Sequence, residues 1–511
     1  MMMRSIKLLH LFLVACLLPR QSAATFQRIL LPPRFLSRFA SKLSMTAPPA
    51  DRPRRIVVVG GGLGGLASAF DARHLMRPQD VVTVVSDRPQ FSFTPSNPWV
   101  AVRTRKPEDI QLDLDKVLPR HNVDFVHGKA VELKPNSCQL KLEGGKIIDY
   151  DYLIVATGPR LAFETIPGLK EAGASVCTTP HAMHAADELD KLVADPGPIV
   201  VGATQGASCF GPAYEYAFLL KHALRKRGGQ KLVDSCPMTF VTSEPYIGHL
   251  GLQGAGDSSP ILENLMKKNN ISTIVNAVVD KVSKHDVTLH YLLTDPEQLK
   301  DQNSFKVVGK KHVRVPSKLT MLIPPFHGQN VWKNVPGLSD QKGMIIVNEY
   351  QQSPQYPNIF GVGVTVSIPN KEITPVPIGI PKTGYFIESQ GTAAVKNIRS
   401  MINYEISHQQ DVVKGNPSIA MKVKATLNGL CLTDFGDDGA IFVTMPQMRP
   451  RRYDWTIEGK IATLAKIAFE KYFLHKIESG DTDPYYEKYM LKLIGIERTE
   501  ARKPLHTLRL K

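Results

Sequence analysis

Short runs of β-branched and other apolar residues that stop on glycine or on a cluster of small residues recur along this chain. Arg54-Arg55-Ile56-Val57-Val58-Val59 runs into Gly60, and Val81–Val85 ends at Ser86-Asp87. Tyr150–Val155 closes on Ala156-Thr157-Gly158, Pro198–Val201 closes on Gly202, and Tyr356–Phe360 leads to Gly361 and Gly363. Runs of this length and composition, bounded by turn residues, predict strands. Two other patterns break the series. Leu8–Leu18 is an apolar run of eleven positions preceded by Arg4 and Lys7, too short to span a bilayer. In Thr456–Ile477, Ile461, Leu464, Ala468 and Tyr472 return at helical spacing beside Ala465, Phe469 and Phe473, with Lys460, Lys466, Lys471 and Lys476 among them.

The first glycine cluster carries specific physics. Gly60, Gly62 and Gly65 form G-x-G-x-x-G directly after a strand and before the small, helix-compatible Leu66-Ala67-Ser68-Ala69-Phe70. Glycine permits the tight turn, lets backbone approach a pyrophosphate, and lets the helix sit close to the sheet. Asp87, about 25 residues further on, is the candidate acid for a ribose. The second cluster departs from the pattern. Gly202-Ala203-Thr204-Gln205-Gly206-Ala207 puts Thr204 and Ala207 where further glycines belong, so a pyrophosphate is crowded there. Glu244, at the end of the next strand, keeps a degraded nicotinamide site open.

Composition narrows the class. The 511 residues allow two or three domains, and 43% apolar with 22% charged residues describes a folded chain. The net charge is +16, but seven basic residues and no acidic one fall within the first 50 positions, leaving +9 on the rest. Thr25–Thr46, basic and without an acid, has transit-peptide composition. Residues 1–50 are therefore read as a targeting leader: mitochondrial import is favoured, with a plastid of secondary origin as the alternative. The other basic excess, 14 basic against 9 acidic residues, lies between Pro446 and Lys511. No nucleic-acid module accompanies it, and Arg449, Arg451 and Arg452 point to an anionic lipid face. Six cysteines make no disulfide scaffold. Cys16 belongs to the leader, while Cys138 and Cys236 read as structural. Cys177, Cys209 and Cys431 sit beside glycine or proline, and Cys209 is placed where a helix N-terminus would lower a thiol pKa.

Longer stretches carry a resemblance. The order of strands and glycines resembles the two-dinucleotide-domain flavoprotein disulfide reductases, in which Ala156-Thr157-Gly158 and Gly363 would flank FAD. The runs Gly202–Tyr216, Thr242–Gly251, Phe91–Trp99, Thr374–Gly384, Ala465–Phe473 and Pro484–Lys488 resemble sulfide:quinone oxidoreductase, and the likeness covers about residues 54 to 496. The fold this implies is α/β, with two Rossmann-like domains, one inserted in the other, and C-terminal amphipathic membrane-docking helices. Its segments would be a first part of the FAD domain over 51–165, an altered nicotinamide-type domain over 166–319, the second part of the FAD domain over 320–400, and a C-terminal segment over 401–511.

The resemblance also implies roles. Cys209 and Cys431 match the cysteine pair beside the flavin, joined by a disulfide or a sulfur bridge, and Cys177 matches an accessory cysteine that in some members bonds to the flavin. His181 and His249 match histidines near the sulfide path, with Pro180 expected to restrict Thr179 and re-aim His181. Gly60, Gly62, Gly65, Asp87, Asn97, Ala156, Thr157, Gly158, Gly363 and Lys382 would hold FAD. Lys466, Phe469 and Tyr486 would line a site for ubiquinone or plastoquinone, with Tyr486, Met490, Leu493 and Ile494 on one helix side. The implied reaction oxidises hydrogen sulfide to polysulfide, without a metal, at a membrane surface; a homo-oligomer stays open. The competing readings are a type II NADH:quinone dehydrogenase and a redox-inactive membrane-associated flavoprotein.

Overall fold

The structure, a computed structural model, describes residues 52–295, 305–370, 372–408, 423–482 and 498–501. The leader and Tyr486, with Met490, Leu493 and Ile494, lie outside these residues.

The first expected strands form one parallel sheet. β1 (Arg55–Val59) is followed by α1 (Leu63–Leu75), β2 (Val81–Ser86), α2 (Asn97–Ala101), β3 (Asp124–His127) and β4 (Tyr152–Val155). β1 lies between β2 and β4, and β3 pairs with the far side of β2, every pair parallel. Successive side chains of a strand point to opposite faces, and here both faces are covered. Ile56 and Val58 enter the large core shared with the helices, whereas Val57 and Val59 pack with Leu133, Leu140 and Trp332 on the other side.

After α3 (Thr179–Ala194) the pattern repeats. β5 (Ile199–Ala203), α4 (Gly211–Ser235), β6 (Met238–Thr242) and β7 (Ile271–Ile274) build a second parallel sheet. An antiparallel meander follows, made of β8 (Ala277–Val282), β9 (Asp286–Thr294) and β10 (Val307–Pro316). β11 (Leu319–Ile323) then returns to pair with β5. β12 (Ile359–Gly361) goes back to the first sheet, beside β4, so the second unit interrupts the first.

The chain closes with α5 (Gly384–His408), the antiparallel strands β13 (Gly429–Asp434), β14 (Gly439–Met445) and β15 (Tyr453–Glu458), and α6 (Lys460–Ser479). α5 crosses α1 closely because small residues meet there. A methyl group on Gly64 would stand 2.9 Å from Ile387 Cγ2, and one on Gly391 would stand 2.7 Å from Ser68 Oγ.

α6 corrects one expectation. Ala462, Ala465, Ala468, Tyr472, Phe473 and Ile477 are buried, so the apolar stripe packs on the protein itself. Lys466 and Lys476, two of the four lysines interspersed in that stripe, are buried in ion pairs with Glu215 and Glu388. Lys460 and Lys471 stay exposed, and Leu464 is 56% exposed. Upstream, Arg451 is buried against Asp454 and the Leu252 carbonyl, leaving Arg449 and Arg452 as the exposed cations. No helix among the described residues is long and apolar enough to cross a membrane.

A buried ion pair ties the two ends of the first unit. Arg54 Nη2 donates to Glu405 Oε2 at 3.0 Å, and the Tyr152 hydroxyl donates to Glu405 Oε1 at 2.8 Å. Glu405→Ala would leave the guanidinium buried without its carboxylate, at a cost of about 3 kcal/mol. The expected outcome is a clear fall in the urea midpoint of the first unit, with Glu405→Gln losing less. A Glu405→Ala midpoint equal to that of the unsubstituted protein would show that the pair carries no stability.

Candidate functional site

The first glycine turn is built to let backbone come close. Gly60 has φ +120°, and a methyl group there would lie 2.3 Å from the Ala156 carbonyl oxygen; one on Gly65 would lie 1.7 Å from the Gly60 oxygen. Gly62 caps α1 and faces open space, with no side chain capping the helix and no acid in its first turn. The helix thus presents free N–H groups, the arrangement that suits a phosphate. Asp87 is exposed at the end of β2. Trp332 Nε1 donates to Thr157 Oγ1 at 3.0 Å, Gly158 has φ +65°, and the Gly363 N–H donates to Gln390 Oε1 at 2.9 Å. Asn97 is fully buried and accepts from Thr179 Oγ1 at 3.1 Å, while its Nδ2 has no partner among the described residues. Thr365 Oγ1 and Thr383 Oγ1, next to Gly363 and Lys382, are buried in the same condition. Burial pushes the Lys382 ammonium down to about 8, with Asp340 pulling against it. Buried polar groups without partners are rare in folded proteins. Together with the open glycine turn they fit a long polar cofactor such as FAD.

The second glycine turn is filled by the protein. A methyl group on Gly202 would lie 1.7 Å from the Val241 oxygen, so this glycine serves strand pairing. The Gly206 N–H donates to the Pro377 oxygen at 3.2 Å, and the Gly379 N–H donates to the Ala207 oxygen at 2.9 Å. Thr204 Oγ1 donates to the Ile323 oxygen at 3.0 Å, and Gln205 pairs with the Val279 backbone in both directions. Glu244, the candidate ribose acid, is fully buried. It accepts from Tyr214 at 2.8 Å, Thr242 at 2.7 Å and the Leu250 N–H at 2.6 Å. Burial pushes its carboxyl up, against those hydrogen bonds and His249. The carboxylate already has its partners and is sealed from any ribose.

The three singled-out cysteines lie near one another. Cys431 lies in β13 with its sulfur 3.7 Å from where a side chain on Gly211 would begin, at the first residue of α4. Cys209 precedes that helix, two residues before its start. The Cys209 thiol is near enough to raise the pKa of Cys431, and Cys177 is near enough to raise that of Cys209. All three are free thiols, partly accessible. Burial pushes Cys209 and Cys431 up to about 12 and Cys177 up to about 11, against a 3.3 Å hydrogen bond from Ser175 Oγ to the Cys177 sulfur. This corrects the expectation of a lowered Cys209 pKa. Cys209 stands outside the helix, and desolvation of its thiolate dominates.

The histidines occupy different surroundings. His181 lies in the first turn of α3, half-buried, with Nδ1 2.8 Å from Thr178 Oγ1 and its ring 5.0 Å from that of Phe163. Burial, then Arg88 and His184, push its pKa down. Pro180 falls in the first helical turn, where its missing N–H would have had no partner, and Thr179 is helical despite preceding it. His249 is fully buried. Its Nδ1 accepts from the Gly251 N–H at 3.1 Å, so the ring proton sits on Nε2, which donates to Glu372 Oε2 at 2.9 Å.

Glu215, in α4, was not singled out by the sequence reading. Its carboxylate is buried, pairs with Lys466 Nζ and accepts from the Asp434 N–H at 3.1 Å. Burial pushes it up, and Lys466 pulls it down. Lys466 also lies 4.7 Å from the ring centre of Trp99, whose Nε1 donates to Asp434 Oδ2 at 2.8 Å. Phe469 is half-buried, its ring 6.0 Å from Phe93 and 5.8 Å from Phe473. The available signal was one acid inside the apolar helical run Ala213–Leu220.

Known proteins resemble this chain in sequence and in fold. A family model described as pyridine nucleotide-disulphide oxidoreductase matches residues 54–211. The chain is 41% identical over 445 residues to the sulfide-quinone reductase of Aquifex aeolicus (strain VF5), covering 86% of this chain and 95% of that protein. It is 24% identical over 364 residues to the mitochondrial sulfide:quinone oxidoreductase of Dictyostelium discoideum, covering 70% and 73%. Superposed on the X-ray structure of the sulfide:quinone oxidoreductase from Aquifex aeolicus, it gives a TM-score of 0.78 at 38% identity over 89% of this chain and 98% of that one. The NDH2 of Plasmodium falciparum in complex with NADH, at a TM-score of 0.57 and 14% identity over 86% and 100%, shares the fold alone. With two-domain α/β architecture, a dinucleotide turn and extended identity to a sulfide-quinone reductase, the chain belongs to the sulfide:quinone oxidoreductase family, within the flavoprotein disulfide reductases.

Proposed function

We propose that this protein is an FAD-dependent oxidoreductase that takes two electrons from hydrosulfide and delivers them to a membrane quinone, leaving the sulfur as polysulfide or another sulfane form. The observation that carries the reading is that Cys431 lies against the start of α4, two residues from Cys209 and 222 positions from it in sequence, with Cys177 near enough to interact with Cys209. A reduced pair holds its protons at neutral pH, because both thiols are pushed up to about 12. The reaction therefore starts from the oxidised pair, whose disulfide is the electrophile, and hydrosulfide is the nucleophile. Attack forms a new S–S bond as the old one breaks. One cysteine then carries a persulfide, and the other leaves as a thiolate holding the electron pair. FAD, when bound, supplies the two-electron acceptor that relays this pair to quinone.

The remaining roles belong to the protein's own groups. His181, kept neutral by burial, is a proton acceptor for hydrosulfide. His249 is assigned to the sulfide path, its ring held in place by hydrogen bonds with Gly251 and Glu372. Lys382, its pKa lowered by burial, is assigned to the cofactor's ring, and Asn97, whose Nδ2 has no partner among the described residues, is assigned to the same cofactor. Lys466 and Phe469, with Tyr486, are assigned to the quinone side. NADH as donor is disfavoured by the bonded turn at Gly206–Ala207 and by the buried, fully bonded Glu244.

Quinone dissolves in lipid, so the protein is read as docking on a membrane surface through its C-terminal part, where exposed Lys460, Leu464 and Lys471 share α6. The mitochondrial relatives of Dictyostelium discoideum and Mus musculus support the mitochondrial inner membrane over a plastid, and the basic leader suits import into either.

Two experiments test the reading. Anaerobic sulfide should bleach the flavin and reduce a quinone analogue, NADH should do neither, and Cys209→Ala or Cys431→Ala should lower sulfide-driven turnover at least about a thousandfold. Reduction by NADH alone, or near-full activity in either variant, would overturn the assignment. Thiol titration supplies the second check. In the reduced protein, thiolate fractions at pH 8 are small for pKa values this high, so iodoacetamide should label Cys209 and Cys431 roughly 1,000-fold more slowly than an ordinary thiol. Labelling should climb about tenfold per pH unit from pH 8 until it approaches about pH 12. A rate that levels off near pH 8 by peptide mass spectrometry contradicts buried, protonated thiols.

A further inference from the structure

Outside the redox site, one group of side chains has the composition of a metal centre. Asp280, His290 and His312 come from the three strands of the meander, and one ligand atom from each lies within 4.8 Å of the others. Their placement follows from the backbone. β9 and β10 pair with His290 directly opposite His312. β8 and β9 pair with a register shift between Val279 and Lys281, so Asp280 is the bulged residue. A bulge re-aims a side chain. Here it brings the Asp280 carboxylate to His290, with Nδ1 3.0 and 3.1 Å from its two oxygens. The two imidazoles stack obliquely, with ring centres 5.3 Å apart.

The opposite face of the meander is held firmly. Val279, Val282, Val287 and Leu289 are buried there with Leu322 of the second sheet, and Val313 and Val315 pack against them. The ligand-bearing strands are thus anchored on one side, while Asp280 and His312 are exposed on the other and His290 is half-exposed.

We propose that Asp280, His290 and His312 bind a divalent transition-metal ion, zinc in the first instance. Two imidazole nitrogens and one carboxylate oxygen are a donor set for Zn²⁺, Ni²⁺ or Co²⁺; Mg²⁺ and Ca²⁺ require oxygen ligands. A tetrahedral ion at about 2.0–2.2 Å from each donor needs donors roughly 3.4 Å apart. The Asp280–His290 pair already meets that spacing, and a side-chain rotation of His312 brings in the third. The ion takes the place of the proton shared between His290 Nδ1 and Asp280. Three protein ligands leave a fourth position for water, as in exchangeable zinc sites.

The test uses the full-length, FAD-loaded protein in its oxidised form, equilibrated with Zn²⁺ at micromolar free concentration. The expected result is one Zn²⁺ per chain, bound through nitrogen and oxygen at about 2.0–2.1 Å in zinc K-edge absorption. His290→Ala and His312→Ala should each weaken binding at least about tenfold. Both positions are solvent-facing, so sulfide-driven quinone reduction should persist in these variants and report that they are folded. A first shell of sulfur at about 2.3 Å, which would place the ion on the cysteines, overturns the proposal. So does binding left unchanged in both variants, or saturation reached at millimolar Zn²⁺ alone.

Discussion

The architecture around the sulfurs hangs on one buried carboxylate. Glu215 lies six residues after Cys209, accepts the N–H of Asp434 three residues after Cys431, and pairs with Lys466 on the C-terminal helix. A single side chain therefore couples the three segments that must agree for two distant thiols to share one place. Its burial is costly, and the pairing offsets that cost; removing one partner of such a pair typically loses about 3–5 kcal/mol. The ion pair is better read as fixing position than as adding stability, since well-packed apolar groups can do as well energetically. Trp99 extends the same assembly, bonded to Asp434 and lying under the Lys466 ammonium.

Much of the scaffold was legible along the chain. The runs 55–59, 81–86, 152–155 and 199–203 are strands, and Gly60, Gly62 and Gly65 sit in the turn their spacing required. Those features depend on neighbours in sequence: β-branched residues favour strands, and a crowded turn admits glycine. The failures depend on neighbours in space. Lys466 and Lys476 looked like the wet side of an amphipathic helix, because nothing local shows that Glu215 and Glu388 wait beneath. The Cys209 pKa was misjudged because a two-residue offset from the helix start decides whether dipole or desolvation prevails. Glu244 ended a strand as a ribose acid should, yet its oxygens are taken by Tyr214, Thr242 and Leu250.

The two glycine turns show how one fold accepts or refuses a dinucleotide. In the first, glycines remove every atom between backbone and cleft. In the second, Thr204, Gln205 and Ala207 keep the strand-to-helix connection, but its polar atoms are bonded to Ile323, Val279 and Gly379. The chain has become its own ligand there. The covered turn still does mechanical work, since it seats Cys209 at the mouth of α4.

That self-bonded turn bears on how the protein sits in a metabolism. A flavoenzyme with an open nicotinamide cleft is subject to the prevailing ratio of reduced to oxidised pyridine nucleotide and can leak electrons in either direction. Here the backbone around Pro377–Gly379 is bonded to Gly206 and Ala207, at the turn where a pyrophosphate would otherwise approach. Flux through a member of the sulfide:quinone oxidoreductase family wired in this way follows sulfide supply and the oxidation state of the quinone.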